Sequence, residues 1–194
     1  EINKLDEKLN LEFIASDIGD LIQQTKCGTD RIKKIINDLK IFSRKDEGRL
    51  DLSNVEEILD RVINIVWNEI KYKIELKKEY GGIPLVRCNT QKIGQVFINL
   101  ILNASQAVKE KGEIKIKTYL VGKYVCIEIS DTGSGIRKED IDKIFDPFFT
   151  TKEVGKGTGL GLSIGYDIIK QHGGEIKVES EVNKGTKFII KLPV

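Results

Sequence analysis

Ten of the 18 glycines in this 194-residue chain lie between Gly133 and Gly185. Without a Cβ, glycine backbone approaches a ligand or another segment closely, so this stretch is where a ligand would be held. The apolar pattern around it is regular and alternates between two periods. Leu50–Leu52 reads as a short strand, and Ser53-Asn54-Val55-Glu56 as a capping box with Ser53 as cap. The helix that follows would bury Val55, Ile58, Leu59, Val62, Ile65 and Val66. Ile74–Tyr80 reads as a strand turning at Gly81-Gly82, and Leu85–Cys88 as another. Thr90 to about Lys109 spaces Ile93, Val96, Phe97, Leu100, Ile101, Ala104 and Val108 as one helical face. Glu113–Val121 and Tyr124–Ser130 alternate as strands and join at Gly122-Lys123, a hairpin signal. Leu160–Gln171 reads as a helix entered from the glycine-rich loop, and Glu175–Glu181 with Thr186–Leu192 as a closing strand pair. The expected architecture is α/β: a two-layer sandwich of a mixed sheet of about five strands with three helices.

The chain opens differently. Leu11, Ile14, Ile18, Leu21, Thr25, Gly28, Ile32, Ile35, Leu39 and Phe42 step by three and four, which is a heptad seam. It predicts a long N-terminal helix that either docks on its own domain or packs in an intermolecular bundle, the length of roughly 45 Å favouring the bundle, with a kink or register break near Cys27–Asp30 where Gly28 weakens it. Ser43–Arg49 reads as a linker. Two domains are expected, residues 1–47 and 48–194.

Lys and Arg number 32 against 30 acids, a net charge of +2, which gives no reason to expect nucleic acid as partner. No apolar run approaches the roughly 20 residues that cross a bilayer, so membrane contact is expected only through a part outside this chain. Cys27, Cys88 and Cys126 are far apart, which suits a reducing, cytoplasmic compartment. The single histidine, His172, stands before Gly173-Gly174 at the predicted end of a helix, where a cation complements the dipole and a glycine suits the next position. A structural role is expected for it.

Three local signals carry chemistry. Gly157-Thr158-Gly159-Leu160-Gly161-Leu162 precedes a helix, whose first N–H groups hold anions. It is neither a dinucleotide fingerprint nor a P-loop, because Leu162 and Gly157 stand where those motifs need Gly and Ser or Thr. Asp131-Thr132-Gly133-Ser134-Gly135 follows a strand. An Asp there accepts a hydrogen bond from an exocyclic amine such as that of adenine, although the triplet also fits an aspartic protease half-site. Asn99 and Asn103 lie four apart on one helix face, where burying two amides without partners is costly. An amide oxygen there could coordinate Mg²⁺ and an amide NH₂ could meet phosphate; capping of neighbouring loops is the alternative.

In fixed order these signals acquire a common meaning. Gln95-Val96-Phe97-Ile98-Asn99-Leu100-Ile101-Leu102-Asn103-Ala104, Asp131 to Ile136, Ile144-Phe145-Asp146-Pro147-Phe148-Phe149-Thr150-Thr151-Lys152, Gly157 to Leu162 and Gly185-Thr186-Lys187-Phe188 follow one another from N- to C-terminus. The sequence resembles the GHKL ATPase and kinase superfamily, and within it the ATP-binding catalytic domain of two-component sensor histidine kinases, from about Leu50 to Pro193. The resemblance implies the Bergerat fold and a Mg-ATP site.

It implies that Asp131 accepts from the adenine amine with support from Thr186. Gly133 and Gly135 would floor the base, beside Ile136 and Ala107. Asn103 would coordinate Mg²⁺ and Asn99 face the phosphates. Phe145 to Gly157 would be a mobile ATP lid, bringing Phe148, Thr151, Lys152 and Lys156 to the nucleotide. Gly157, Thr158, Gly159, Leu160, Gly161 and Leu162 would meet phosphate. Many kinases of the family carry Lys or Arg three residues after the metal Asn; Gln106 stands there, so Lys152 or Lys156 would supply the charge.

Hydrolytic members carry Glu, a general base, where Asn99 stands, and an amide takes no proton. That favours phosphoryl transfer to a histidine, for relay to a response-regulator aspartate, over ATP hydrolysis. A serine kinase or a scaffold that only binds ATP or ADP are the other classes. The N-terminal helix resembles the second helix of the family's dimerisation hairpin. The expected protein is therefore a homodimer in its intact form, and this chain a piece of it that binds nucleotide without labelling itself.

Overall fold

The structure is a computed structural model described at residues 16–26, 28–29, 50–152 and 157–194. These fall into two compact units, residues 50–149 with 159–194 and the remaining described residues.

In the larger unit, β1 (Asp51–Ser53) leads into α1 (Val55–Ile70). The cap of α1 is Asn54, whose side-chain oxygen accepts the N–H groups of Glu56 at 2.9 Å and Glu57 at 3.4 Å. Ser53, the cap read from the sequence, ends β1, and its hydroxyl turns back to the carbonyl of Asp51. Glu57 also accepts the Asn54 side-chain Nδ2 at 3.3 Å, in place of the backbone N–H that a capping box would use. The buried stripe is Val55, Ile58, Leu59, Val62, Ile63, Val66 and Ile70. Ile65 is 68% exposed and the inward residue is Ile63. Both isoleucines lie within one turn of Val62, and only the direction of the sheet decides between them.

β2 (Ile74–Glu79) and β3 (Val86–Cys88) precede α2 (Thr90–Ala107), which is capped by Asn89 accepting from Gln91 N–H and Lys92 N–H. Then come β4 (Gly112–Val121), β5 (Tyr124–Asp131), a single turn α3 (Lys138–Ile141), α4 (Gly161–Gln171), β6 (Glu175–Glu181) and β7 (Gly185–Pro193). One five-stranded sheet runs β2-β4-β5-β7-β6, and β1 pairs with β3 in a separate two-stranded sheet. β2 and β4 are parallel; every other neighbouring pair is antiparallel. Val121 pairs with Tyr124, so Gly122-Lys123 is the two-residue hairpin loop that the sequence marks.

One face of the large sheet is apolar: Ile114, Ile116, Ile127, Ile129 and Ile190 are fully buried with Leu59 of α1, Phe97 and Ile101 of α2, and Ile169 of α4. Burying side chains of this size stabilises by about 1.5–3 kcal/mol each before entropy is set against it. The opposite face is charged, with Lys77 on Glu113, Lys115 on Glu79 and Lys187 on Glu179. Exposed pairs of this kind add little stability, but they keep that side of a two-layer sandwich wetted. α2 packs against both α1 and α4 and so forms the middle of the helical layer.

His172 closes α4. Gly173 N–H reaches Lys170 O at 3.0 Å and Gly174 N–H reaches Ile169 O at 2.9 Å, the two bonds of a Schellman motif. The ring is buried. Nε2 accepts Asn89 N–H at 3.0 Å, and Nδ1 lies 2.7 Å from Ile168 O. A backbone N–H needs a lone pair opposite it, so the proton sits on Nδ1 and the ring is neutral. The expected cation at the helix end is therefore corrected: the imidazole joins the end of α4 to the cap of α2 through one donated and one accepted bond. Cys88 and Cys126 are buried free thiols, and Cys27 lies outside the described residues.

In the smaller unit, residues 16–26 and 28–29 are helical, and the seam residues Ile18 and Leu21 are exposed. Thr25 and Thr29 hydroxyls donate to the carbonyls four residues back, at 2.7 and 2.9 Å. The remaining seam residues, from Leu11 to Phe42, and the linker Ser43–Arg49 lie outside the described residues. No helix among the described residues is long and apolar enough to cross a membrane.

Candidate functional site

β5 ends on Asp131, 8% exposed at the edge of the apolar face. Its carboxylate accepts Gly133 N–H at 2.8 Å and the backbone N–H of Thr186 on the neighbouring strand. Burial pushes the carboxyl above the ordinary carboxylate range, and the two N–H bonds pull the other way. A buried acceptor at a strand end is thus held in place by backbone alone.

The loop after Asp131 is fastened to two elements, α2 and β6. Ser134 N–H donates to Ala107 O, the last residue of α2, at 3.0 Å. A Cβ on Gly133 would meet the Ala107 Cβ at 2.6 Å, so the loop lies directly on the end of that helix. Gly135 has φ +68°, and a Cβ there would run into the carbonyl of Glu181. Ile136 N–H donates to Ser180 Oγ on β6 at 2.8 Å.

Asn99 and Asn103 are half-buried on α2, one turn apart. Asn99 Nδ2 donates to Gly161 O, the first residue of α4, at 3.0 Å. Its oxygen accepts Gln95 Nε2 at 3.2 Å. The Asn99 amide is thus engaged by protein on both sides. Gln106 is exposed in the last turn of the same helix. The cap position of α4 is Leu160, an apolar, buried residue whose side chain makes no cap hydrogen bond to the N–H groups of the first turn. Leu162, in its first turn, packs partly buried on the core.

Phe145 stacks at a tilt on Tyr166 of α4, with 5.2 Å between ring centroids. Phe148 has φ +68° and is 68% exposed. Its N–H donates to Gly159 O at 3.0 Å, and a Cβ on Gly159, also at φ +68°, would strike the Phe148 backbone. A bulky residue at positive φ is strained and persists only where its surroundings over-determine it. Here Gly159 is what permits it.

The larger unit therefore holds two bonded groups: Asn99 with Gly161, which joins α2 to α4, and Asp131 with Gly133 and Thr186, whose following loop is bonded to Ala107 through Ser134 and to Ser180 through Ile136, with Gly135 packed against Glu181. Thr151, Lys152, Gly157 and Thr158 belong to the smaller unit, where Lys152 N–H donates to Thr150 Oγ1 at 3.2 Å and a Cβ on Gly157 would meet that oxygen at 2.7 Å. Lys156 lies outside the described residues. The sequence reading gave no role to Gln95 and did not single out Ser180. Gln95 could have been found from its spacing four before Asn99; Ser180 could not, because only the β6–β7 register sets it opposite Thr186.

Residues 88–194 match the family of histidine kinase-, DNA gyrase B- and HSP90-like ATPases. The chain is 38% identical over 188 residues to the sensor kinase CckA of Brucella abortus, covering 89% of itself and 20% of that protein. It therefore spans only a fifth of that relative. The nucleotide-free catalytic domain of histidine kinase ThkA superposes with a TM-score of 0.67 at 37% identity, over 74% of this chain and 95% of that one. ThkA in complex with the response regulator protein TrrA superposes with a TM-score of 0.71 at 32% identity, over 86% of this chain and 48% of that one. With a mixed sheet under three helices, an acceptor at the end of its central strand and an uncapped helix opposite an asparagine pair, the chain belongs to the histidine kinase-, DNA gyrase B- and HSP90-like ATPase family, as an ATP-binding catalytic domain of the sensor histidine kinase type.

Proposed function

We propose that this chain binds Mg-ATP and passes the γ-phosphoryl group to a histidine, as the catalytic part of a two-component sensor kinase. Asp131 and Thr186 take the base, and the N–H groups at the start of α4 take the phosphates. Asn103, an amide on the face of α2 that carries Asn99, offers Mg²⁺ the hard oxygen ligand it prefers. When bound, the ion neutralises charge on the phosphates. Lys152 or Lys156 supplies the cation that Gln106 does not.

The observation that carries transfer over hydrolysis is Asn99. Its amide cannot accept a proton from water, and both its polar atoms are committed to Gln95 and Gly161. The acceptor is not His172, which is buried with both nitrogens engaged. It belongs on a hairpin helix outside this chain, of which residues 1–47 supply the second arm and linker and through which the intact protein dimerises. Residues 48–194 are the nucleotide domain. The receiving partner of the phosphohistidine is a response-regulator aspartate, in keeping with the ThkA–TrrA likeness.

The test is radioactive ATP with this chain alone and with a supplied histidine-bearing hairpin. The chain stays unlabelled and the hairpin acquires acid-labile label. Steady multiple-turnover release of phosphate would instead make it an ATPase, and label on a serine partner a serine kinase.

A further inference from the structure

Three polar side chains stand in a row across one end of the sheet: Asp131 at the end of β5, Thr186 on β7 and Ser180 on β6. Ser180 pairs with Thr186 in the β6–β7 register, and Asp131 receives the backbone N–H of Thr186. Asp131 and Thr186 are buried, and Ser180 half-buried.

A serine hydroxyl has one proton and two lone pairs. Ser180 Oγ has three neighbours: Ile136 N–H at 2.8 Å, Gly185 O at 2.9 Å and Thr186 Oγ1 at 3.0 Å. The N–H only donates and the carbonyl only accepts. The Ser180 proton therefore goes to Gly185 and one lone pair to Ile136. The contact with Thr186 is then a hydrogen bond only if Thr186 donates into the remaining lone pair. The Thr186 proton is turned toward Ser180, and beside Asp131 the threonine presents lone pairs alone.

We propose that Ser180 determines base specificity by fixing that proton. With Asp131 ionised and Thr186 so oriented, this end of the pocket is acceptor-only. It takes an exocyclic amine and turns away a carbonyl oxygen, so 6-aminopurine nucleotides bind and 6-oxopurine nucleotides do not. This rests on the placement of the base at Asp131. Removing the Ser180 hydroxyl frees Thr186 to turn and donate, and a guanine O6 then finds a partner.

The experiment is calorimetric titration of the full chain with ADP and with GDP. Ser180→Ala lowers the preference for ADP over GDP by about tenfold, the difference one hydrogen bond makes, and Ser180→Thr restores it. Thr186→Val, which leaves Ser180 bonded to Ile136 and Gly185, weakens ADP and not GDP; Ser180→Ala added to it changes the preference no further. An unchanged preference in a folded Ser180→Ala, or equal weakening of both nucleotides by Thr186→Val, overturns the proposal. Asp131→Asn separates the two layers: if it leaves ADP affinity unaltered, or the unaltered chain binds no ADP, the base placement falls and this inference with it. If it weakens ADP while Ser180→Ala leaves the preference intact, only the role of Ser180 falls.

Discussion

Asn99 on α2 and Gly161 at the start of α4 are joined by a 3.0 Å hydrogen bond from the amide Nδ2 to the backbone carbonyl. Gln95, one turn earlier, fixes the orientation of the amide by donating to its oxygen. The bond ties the middle helix to the helix whose first N–H groups would meet phosphate, so the position of that anion site is set from α2.

Asn99→Ala removes this tie. The expected cost is about 1 kcal/mol, which lowers the melting temperature by about 2–4 °C in a domain of this size. Hydrogen exchange localises the effect: the amides in the first turn of α4 lose protection while those of β4 and β5 do not. Uniform loss across the sheet would show that Asn99 acts on the whole core.

With Asp131 as the acceptor proposed for the base, nucleotide affinity is expected to depend on its charge. Burial raises its carboxyl above the ordinary range, so ADP affinity falls on acidification at a higher pH than a surface aspartate would give. Stability runs in the opposite sense. Ionising a buried acid disfavours the folded state, so its destabilising contribution is complete above the raised pKa and is relieved as pH falls through it. Asp131→Asn is expected to weaken ADP by about tenfold or more and to remove the acid limb of a calorimetric pH series. Survival of that limb in the variant assigns it to another group.

Gly159→Ala forces a Cβ against the Phe148 backbone at a residue already at positive φ. The cost is about 1–3 kcal/mol of local strain, relieved by opening the bond between Phe148 N–H and Gly159 O. Limited proteolysis between Phe149 and Thr158 accelerates, and global unfolding in urea changes less than this local opening does. Proteolysis at the wild-type rate would show that the pair is not what closes this segment.

His172→Ala leaves Asn89 N–H without its acceptor at the cap of α2. An orphaned buried donor costs about 1–3 kcal/mol, read as a lowered urea midpoint with an unchanged slope. His172→Gln, which can place an acceptor near the same N–H, recovers part of it. Radiolabel from ATP stays absent from all three proteins: the ring of the unaltered chain has no free nitrogen to phosphorylate, and the variants have no ring.

How much of this was legible in the sequence depended on whether a feature was local. Ile93, Val96, Phe97, Leu100, Ile101 and Ala104 repeat at helical spacing and are all buried, because a period fixes a face without reference to anything else. The hairpin at Gly122-Lys123 was legible for the same reason. The cap of α1 was misplaced by one residue, since Ser53 and Asn54 both have capping side chains and only the pairing of β1 with β3 claims Ser53 for a strand. Ile65 was put inside in place of Ile63, because a stripe has a width that the sequence leaves open and the sheet beneath it narrows.

The order of motifs alone determined the family, the sandwich and the stretches of the candidate site, since each motif is a short run legible without reference to distant residues. The tertiary structure alone decided which polar atoms meet. The neutral state of His172 comes from Asn89, 83 residues away. The engagement of Asn99 comes from Gly161, 62 residues on. The proton of Thr186 is set by Ser180 through strand register. Hydrogen-bond partners at such separations are chosen by packing in three dimensions, and neither period nor spacing along the chain encodes them.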